Sequence, residues 1–384
     1  MSAVAVKQSE RSQPPSAELD AAAVQAFAQR MLGCFNDAAL ALMISIGHRT
    51  RLFDVLAQLP PATTHDIAAA AKLSERYVRE WLGAMVTGGV LEYDRAADRY
   101  WLPAERAACL TRQATPNNMA SVAQWMAVLG SVEDRVVEAF AHGKGVPYSA
   151  YGRFHEVMAE ESGQTVVAAL DDHIMPLIPG LKELLTQGID VVDVGCGRGK
   201  ALLHLAAQFP KSRFMGIDIS EHATAEASAE AAERRLPNVQ FRIADAARWD
   251  AREAFDLVLA FDAIHDQPAP ARVLENIRRA LRPGGLFLMQ DIAACSCVHG
   301  NLDHPLGTFL YTISTMHCMS VSLAGGGPGL GAVWGKELAL EMLAAAGFES
   351  VEVKQLPHDI LNYYYIASPA SETPSMLSAW VGHS

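Results

Sequence analysis

The segment VVDVGCGRG, at Val191–Gly199, gives the strongest indication of structure and chemistry in the chain. A run of β-branched residues leads into three glycines at alternate positions, Gly195, Gly197 and Gly199, and a predicted helix begins at Lys200. Glycines in such a turn can adopt positive φ and let a ligand touch the backbone. The spacing is G-x-G-x-G and differs from the G-x-G-x-x-G of dinucleotide-binding turns, which argues against NAD. The segment therefore predicts a buried strand that ends at a ligand-binding turn.

After this turn, short apolar segments that predict strands alternate with Ala-, Glu- and Arg-rich segments that predict helices. That alternation is typical of a parallel α/β sheet with helices on both faces. The predicted strands are 189–194, 214–218, 239–243, 255–261 and 285–289, followed by a helix at 336–346 and strands at 348–353 and 363–367. Asp218 and Asp245 follow two successive strands, so we expect both at the edge of the sheet that carries the glycine turn.

Asp218 lies 19 positions after Gly199, where its carboxylate can accept from both hydroxyls of a ribose, and Asp245 is placed to accept from an adenine amine. The glycine turn and these aspartates resemble motifs I to III of the class I S-adenosylmethionine (SAM) methyltransferases, over about residues 155–367. A generic α/β sheet with turn glycines is the alternative. The resemblance implies a Rossmann-like class I methyltransferase domain of the α/β class at 186–384, with SAM as cofactor and S-adenosyl-L-homocysteine (SAH) as product. The implied cofactor-binding residues are Asp193, Gly195, Cys196, Gly197, Gly199, Asp218, Ile219, Asp245, Ala246 and Phe261, of which Cys196 is interpreted as a packing residue.

A second resemblance concerns catalysis. The segments FDAIHDQP (261–268) and NIRRALRPGG (276–285) are similar to the His-Asp-Trp segment and the following helix of plant-type and bacterial antibiotic O-methyltransferases, with Gln267 in place of the tryptophan. In that family the histidine is the general base, so the resemblance implies this role for His265, with Asp266 beside it and Asp291 at the position of a supporting glutamate. The chemistry agrees, because a hydroxyl must lose its proton to accept a methyl group and imidazole titrates near neutrality. A purely structural His265 is the alternative.

The sequence also bears on methyl acceptors other than a hydroxyl. A small thiol is the nearest alternative, since thiols ionise close to neutral pH and need little help from a base. A magnesium-dependent catechol site is disfavoured because Asp291 is followed by Ile292 where such sites show Asn. Methylation of a DNA base is disfavoured because the turn after the fourth predicted strand lacks the D/N/S-P-P-Y/F motif.

The N-terminal part has a different pattern. A helical region from 21 to 59 is followed by helices at Thr64–Ala71 and Glu75–Thr87, with Ser74 as the expected N-cap, and by a hairpin at 90–102. Helix, turn, helix and hairpin together are typical of a winged helix. We therefore predict a flexible tail at 1–18, a helical winged-helix domain at 19–110 and a helical linker and substrate cap at 111–185.

Acceptor-binding residues are expected in the cap and in a long insertion, 292–334, which resembles a lid over the active face. Its segments STMHCM (314–319) and GLGAVWG (329–335), with the domain order, resemble an uncharacterised group of bacterial SAM methyltransferases that includes mycobacterial members. The F-x-x-x-M segment of the O-methyltransferases is matched at Phe154 and Met158. The predicted acceptor residues are Phe154, Met158, Tyr311, His317 and Trp334. Cys295, Cys297 and His299, or His317 with Cys318, are weak candidates for a metal site, and we predict none.

Charge and composition limit the kinds of partner that the protein is expected to bind. The formal net charge of −12 disfavours a nucleic-acid binder, and the predicted recognition helix and wing carry as many acidic as basic residues. A SAM-sensing transcription regulator is nevertheless the alternative from another functional class. The first residues lack a signal-peptide core and no uninterrupted apolar run reaches about 18 residues, so we expect no membrane association and a cytoplasmic protein with reduced cysteines.

The segment 38–46 is apolar at every position except Ser45. A helix that is apolar nearly all round must be buried on more than one side. We therefore expect a homodimer through the N-terminal domain, as the resemblance to O-methyltransferases also implies. The alternative is that residues 111–180 of the same chain cover this helix.

Overall fold

A computed structural model describes residues 19–115, 118–357 and 359–369 of the protein. The predicted flexible tail at 1–18 lies outside these residues. The N-terminal elements are α1 (Ala21–Arg49), α2 (Leu52–Leu56), α3 (Thr64–Ala71), α4 (Glu75–Thr87), β1 (Glu92–Asp94) and β2 (Arg99–Trp101). β1 and β2 pair antiparallel, which confirms the predicted winged-helix pattern.

Local sequence explains most of these boundaries. Thr63 and Asp66 form a reciprocal capping box at the start of α3. Ser74 occupies the N-cap of α4 as predicted, although its side chain makes no capping hydrogen bond. The helical region expected from 21 to 59 is interrupted at Arg51, whose φ of 62° is left-handed. α1 and α2 are therefore separate helices.

α5 (Ala104–Leu110) ends the N-terminal domain. The region after it is a series of short helices, as predicted: α6 (Met119–Val122), α7 (Gln124–Gly130), α8 (Glu133–His142), α9 (Phe154–Ser162) and α10 (Leu181–Gln187). The expected glycine-rich break follows α8, where Gly143 has a φ of 66°. Glu160 on α9 contacts His48 at the end of α1 through a 2.7 Å hydrogen bond, and Arg112 pairs with Asp54. These polar contacts join the region to the N-terminal helices.

The C-terminal part contains a seven-stranded sheet in the order β5-β4-β3-β6-β7-β9-β8. Its strands are β3 (Asp190–Val194), β4 (Arg213–Asp218), β5 (Val239–Ile243), β6 (Phe255–Phe261), β7 (Leu281–Ile292), β8 (Phe348–Lys354) and β9 (Asn362–Pro369). The predicted parallel arrangement is confirmed for β3–β7, whereas β9 runs antiparallel to both β7 and β8. The helices of this part are α11 (Lys200–Gln208), α12 (Glu221–Glu233), α13 (Pro270–Ala280), α14 (Gly307–Ile313), α15 (Met319–Ala324) and α16 (Gly335–Ala345).

Helices cover both faces of this sheet, and the alternation of side chains along β3 divides the core accordingly. Val191 belongs to the cluster under α10 and α11, while Val192 and Val194 belong to the cluster under α13 and α16. A continuous apolar run is what a strand buried on both faces requires. The strand before the glycine turn is therefore anchored from two sides.

The insertion at 292–334 is folded rather than loop-like, and it consists largely of α14, α15 and the π-helical turn Ser314–Cys318 between them. It packs against the linker after α8. The backbone N–H of Val146 donates to Ser320 Oγ at 2.8 Å, and the Tyr151 hydroxyl donates to the carbonyl of Met316. Gly145 lies so close to the insertion that a Cβ there would be 1.6 Å from the carbonyl oxygen of Ser320.

α1 is only partly covered within one chain. α4, α6 and α7 pack against it, so the expectation that residues 111–180 cover it is met for part of its surface. Of the segment 38–46, Ser45 is buried, whereas Ala38, Ala39, Leu42 and Ile46 are exposed. By length and composition α1 could also cross a membrane, although core helices of soluble proteins meet the same criteria.

Candidate functional site

The glycine turn has the backbone geometry that its sequence predicts. Gly195, Gly197 and Gly199 have φ values of 75°, 52° and 64°. A Cβ at Gly195 would lie 2.5 Å from that of Ala263, and one at Gly199 would lie 2.2 Å from the Phe241 ring, so packing requires both glycines. At Gly197 a Cβ would meet nothing within 4 Å. The turn therefore packs at its two ends and is open at its centre.

Asp218, at the end of β4, is bound to this turn. One carboxylate oxygen accepts from the N–H of Gly197 and the other from the N–H of Ser220, each at 2.8 Å. These contacts fix the carboxylate at the carboxyl edge of the sheet, as the spacing predicts. Ile219, which follows it, is 69% exposed.

Asp193 lies under the turn and is buried at the end of β3. Its Oδ1 has no hydrogen-bond partner among the described residues. Burial, with the nearby charge of Asp218, raises the pKa of Asp193 to about 8. Burial also raises the pKa of Cys196 well above its usual range, and its sulfur packs near Gly216, in agreement with a packing role.

The other predicted cofactor residues surround the same edge of the sheet. Asp245 Oδ1 accepts from the N–H of Ala247 at 2.9 Å, which shapes the turn after β5. Ala246 is buried, and its carbonyl accepts from Asn276 Nδ2 at 2.8 Å. Phe261 is half-buried at the end of β6. Each therefore lies at or just after the end of a strand next to the turn.

His265 and Asp291 form a buried pair. His265 follows β6, Asp291 lies in β7, and Nδ1 is 2.8 Å from Asp291 Oδ1. The Trp334 indole donates to the same oxygen at 3.0 Å, which links the end of the insertion to this pair. Burial lowers the pKa of His265, but the charge of Asp291 outweighs burial and holds that pKa well above its usual range. Since a carboxylate only accepts, Nδ1–H donates to Asp291. The imidazole is also hydrogen-bonded to the buried thiol of Cys318.

Asp266 is bound by a residue that the sequence analysis did not identify. The hydroxyl of Tyr148, in the break after α8, donates to Asp266 Oδ2. Burial raises the pKa of Asp266 to about 6 and that of Tyr148 well above its usual range. The break was visible in the sequence as a glycine- and proline-containing segment, but nothing local linked it to a residue 118 positions away.

Three of the predicted acceptor residues come together in an aromatic cluster. Phe154 and His317 stack with ring centroids 4.1 Å apart at 9°, and Trp125 lies 5.5 Å from Phe154. Met158 is partly buried against the same cluster. Burial lowers the pKa of His317 to about 3, so this imidazole is neutral at physiological pH. The cluster is an uncharged apolar wall next to Tyr148, whose ring lies 5.2 Å from His317.

The remaining two predicted acceptor residues have other surroundings. Trp334 is buried against Asp291. Tyr311 lines an open cavity of about 730 Å³ between α8 and the insertion, and its hydroxyl accepts from Asn301 at 3.1 Å. Cys295, Cys297 and His299 also lie in the insertion. In the described part of the chain, no three His, Cys, Asp or Glu side chains are arranged as metal ligands.

Comparison with known families gives a match in each of the two parts of the chain. Residues 38–112 match the Rv2258c-like winged HTH domain, and residues 185–347 match a methyltransferase domain. The chain carries a methyltransferase domain behind a winged helix-turn-helix domain. Each match falls on the region in which the sequence predicted that fold, to within two residues of the predicted bounds of 19–110 and 186–384.

Solved structures share the whole two-domain fold. The chain is similar to a putative O-methyltransferase from Nostoc punctiforme PCC 73102, with a TM-score of 0.65 and 17% identity over 89% of this chain and 98% of that one. It is similar to the mitomycin 7-O-methyltransferase MmcR, with a TM-score of 0.64 and 17% identity over 91% and 99% of the two chains. Human N-acetylserotonin methyltransferase in complex with SAM gives a TM-score of 0.63 and 18% identity over 92% and 100%.

Curated relatives match over a shorter segment. A trans-aconitate 2-methyltransferase from Methylobacterium radiotolerans is 36% identical over 99 residues, which are 26% of this chain and 36% of that protein. The enzyme of the same name from Acidovorax sp. JS42 is 35% identical over 115 residues, or 30% and 40%. The chain thus spans only 36% and 40% of the length of these two relatives.

The cofactor of this methyltransferase domain is SAM, and the residues present fit it. The open centre of the turn at Gly197 leaves room for a ligand against the backbone. The unpartnered carboxylate oxygen of Asp193 suits a ligand that carries positive charge, as SAM does at its sulfonium and ammonium groups. Carboxylates at Asp218 and Asp245 are suited to hydroxyl and amine donors.

Proposed function

We propose that the protein transfers a methyl group from SAM to a hydroxyl of a small-molecule acceptor, with His265 as the general base. The observation that carries this proposal is the buried His265–Asp291 pair beside the glycine turn. The two sites are adjacent, because Ala263, two residues before His265, is packed against Gly195.

His265 and Asp291 have different roles in the proposed reaction. SAM, when bound, supplies an electrophilic methyl group on a sulfonium. Asp291 accepts from Nδ1–H of His265, so Nε2 is the nitrogen that takes the proton of the acceptor hydroxyl, which replaces the contact of the imidazole with the Cys318 thiol. The carboxylate then stabilises the imidazolium that forms, and Trp334 holds that carboxylate in place. His265 acts in its neutral form.

The cofactor is held, in this proposal, by groups at the carboxyl edge of the sheet. Gly195, Gly197 and Gly199 supply the backbone cradle, and Asp218 accepts from the ribose hydroxyls. Asp245, with Ala246, receives the adenine. Asp193 lies beneath the turn, where the positive charge of the ligand stabilises its carboxylate. Cys196, Ile219 and Phe261 supply packing.

The acceptor is expected to be small and largely apolar. Phe154, Met158 and the neutral His317 form an uncharged wall, and the Tyr148–Asp266 pair supplies the polar contact next to it. An acceptor that packs against this wall is expected to carry a ring and one reacting hydroxyl. Tyr311 contributes from the neighbouring cavity.

The proposal is tested by screening phenols, hydroxy acids and thiols with methyl-labelled SAM, followed by His265→Asn. For a hydroxyl acceptor we expect the rate to fall roughly 10²–10⁴-fold, because the general base is lost, with SAH affinity unchanged. His142→Asn, at an exposed histidine of α8, is the control. An undiminished rate on a hydroxyl would contradict the role of His265. An undiminished rate on a thiol would favour the alternative of an S-methyltransferase.

We propose that the N-terminal domain forms a homodimer and does not bind DNA. Val24, Phe27, Phe35, Leu42 and Ile46 are between 45% and 63% exposed and follow one face of α1 at helical spacing. A continuous apolar stripe of this kind suits a symmetric pair. Its occupant in this proposal is a second copy of the chain, and the protein works in the cytoplasm, in keeping with six free cysteines.

The alternative of a DNA-binding regulator is weakened by the surface of α4. Arg76 and Arg79, the arginines of this helix, are paired with Glu80 and Glu75 of the same helix. A recognition helix needs unpaired positive charge to bind phosphates. A salt-sensitive shift in the gel mobility of genomic DNA fragments on addition of the protein would restore the hypothesis of a transcription regulator.

A further inference from the structure

Two thiols and an imidazole meet at the start of the insertion, away from the proposed reaction. Cys295 Sγ lies 2.6 Å from Cys297 Sγ, and Cys297 Sγ lies 3.4 Å from His299 Nε2. Both sulfurs belong to free cysteines that are neither fully buried nor fully exposed. A single residue separates them along the chain, so the contact is a property of one turn.

That turn is built around the thiol pair by Asn301, which is buried. Its Oδ1 accepts from the N–H of Cys295 at 2.8 Å, and its Nδ2 donates to the carbonyls of Cys295 and Cys297 at 2.8 and 3.2 Å. Gly300 allows the fold, since a Cβ there would lie 2.4 Å from Cys295 Sγ. The backbone on both sides of Ser296 is therefore held so that the sulfurs face each other.

The two thiols are not equivalent. The hydrogen bond between the two thiols raises the pKa of Cys295. The imidazole of His299 lies against Cys297 alone. A thiolate is the reactive form of cysteine, and the arrangement makes Cys297 the attacking sulfur and Cys295 the resolving one.

We propose that Cys295 and Cys297 form a reversible dithiol–disulfide centre that reacts with low-molecular-weight disulfides. The Cys297 thiolate attacks one sulfur of the small disulfide, the S–S bond of that molecule breaks, and one small thiolate leaves. Cys295 then loses its proton to solvent and attacks Cys297 Sγ, which expels the second small thiolate. Two electrons pass from the protein dithiol to the small disulfide, which is reduced to two thiols.

The short spacing makes this centre reversible. A disulfide stabilises a fold mainly by closing a long loop, and a loop with one residue between the cysteines gives little of that stabilisation. A bond closed in so small a ring is strained and easily reduced. Such bonds in proteins of reducing compartments are transient rather than structural.

The centre is joined to the proposed active site through the residue between the cysteines. Ser296 Oγ donates to the carbonyl of Trp334 at 2.6 Å, and its N–H donates to Glu337 at 2.9 Å. The Trp334 indole in turn holds Asp291. Formation of the Cys295–Cys297 disulfide, which closes a ring around Ser296, therefore changes the contacts that position Trp334.

The test uses the full-length protein in glutathione buffers of graded redox ratio, quenched with a thiol-alkylating reagent and digested for mass spectrometry. On oxidation, we expect both cysteines of the peptide that contains Cys295 and Cys297 to become inaccessible to the alkylating reagent together. The mass of the peptide should be lower than that of the reduced, unalkylated peptide by two hydrogen atoms, and it should carry no glutathione adduct. In Cys295→Ser, Cys297 should retain a glutathione adduct, since no resolving thiol is present. Cys297→Ser should react at least tenfold more slowly at Cys295. The exposed Cys109, in α5, serves as the internal reference.

Hydrogen exchange on the same samples examines the link to the active site. Backbone amides around Trp334 and Glu337 should change their protection on oxidation of the wild type and not of Cys295→Ser. The proposal is overturned if both thiols stay open to alkylation under conditions that modify Cys109. It is equally overturned if wild-type Cys297 keeps its adduct, or if a bound metal protects both thiols.

Discussion

The chemistry of the proposed site rests on opposing influences on one imidazole. Burial disfavours a charged His265, whereas Asp291 at 2.8 Å favours it, and the charge of Asp291 prevails. A raised pKa strengthens His265 as a proton acceptor, but it also means that a larger part of the population is protonated, and therefore inactive, near neutral pH. The balance between these two effects is measurable as a pH profile.

We expect kcat/KM of the wild type to fall as pH decreases through a pKa above about 6.5, the ordinary value for histidine, because only neutral His265 can accept a proton. In Asp291→Asn the negative charge is gone, so burial is opposed only by the contact with Cys318 and this limb should move to lower pH. The plateau rate should fall roughly tenfold or more, since the imidazolium loses its counter-charge.

Trp334→Phe is the matched variant for that experiment, because it removes a hydrogen bond to Asp291 and leaves the charge. The pKa that governs the acid limb of its pH profile should stay above the ordinary histidine value. Binding of SAH to each variant shows whether the domain is folded. If the acid limb of the pH profile has the same pKa in the wild type and in Asp291→Asn, the assignment of His265 as the base is contradicted.

At the scale of elements, the position of the cap over the sheet depends on a close approach of backbones. Gly145, in the break after α8, lies against α15, and Val146 donates to Ser320. Tyr148 follows three residues later and binds Asp266. The break is therefore the element that brings a polar group of the linker to the edge of the sheet.

We predict that Gly145→Ala loosens this contact, because the added Cβ would lie 1.6 Å from the Ser320 carbonyl. Overpacking against backbone costs about 1–3 kcal/mol of folding free energy, and acceptor KM should rise while SAH affinity is retained. Gly152→Ala, where a Cβ meets nothing within 4 Å, is the control. Equal thermal unfolding and equal KM in the two variants would show that the break and α15 are not packed in solution.

Elements with a complete local signal were predicted from the sequence. Val191–Gly199 combines a β-branched run with turn glycines, and β3 ends where those glycines begin. The capping box at Thr63 likewise marks the start of α3. The break at Arg51 was missed because no glycine or proline marks it, and it is stabilised by distant contacts such as Arg112 with Asp54. Tyr148 was missed for the same reason, since its partner is far away in the chain.

On the scale of the whole molecule, α1 is covered in part by the chain itself. The chain itself covers the face toward α4, α6 and α7, and the stripe through Val24, Phe27 and Phe35 remains exposed. Sequence alone predicted that the helix was too apolar for solvent. It could not divide that surface between the same chain and a partner, because the division depends on packing between elements far apart in the chain.

We predict that light scattering gives about twice the chain mass of 41.4 kDa. The pair Phe27→Glu and Phe35→Glu should give a monomer, because two charges would enter the apolar stripe. Gln25→Glu with Asn36→Glu adds the same charge outside the stripe and should remain dimeric. A wild type that stays monomeric at tens of micromolar would contradict the dimer, as would a dimer that the phenylalanine substitutions leave intact.

The binding of SAM at the glycine turn is measured most directly by calorimetric titration with SAH. We expect a dissociation constant on the order of micromolar for the wild type. Asp218→Asn should weaken binding at least tenfold, because hydrogen bonds to a charged group contribute about 1.5–3 kcal/mol each. Asp250→Asn, at an exposed aspartate, is the control. No binding by the wild type, or equal affinity in Asp218→Asn, would contradict the account.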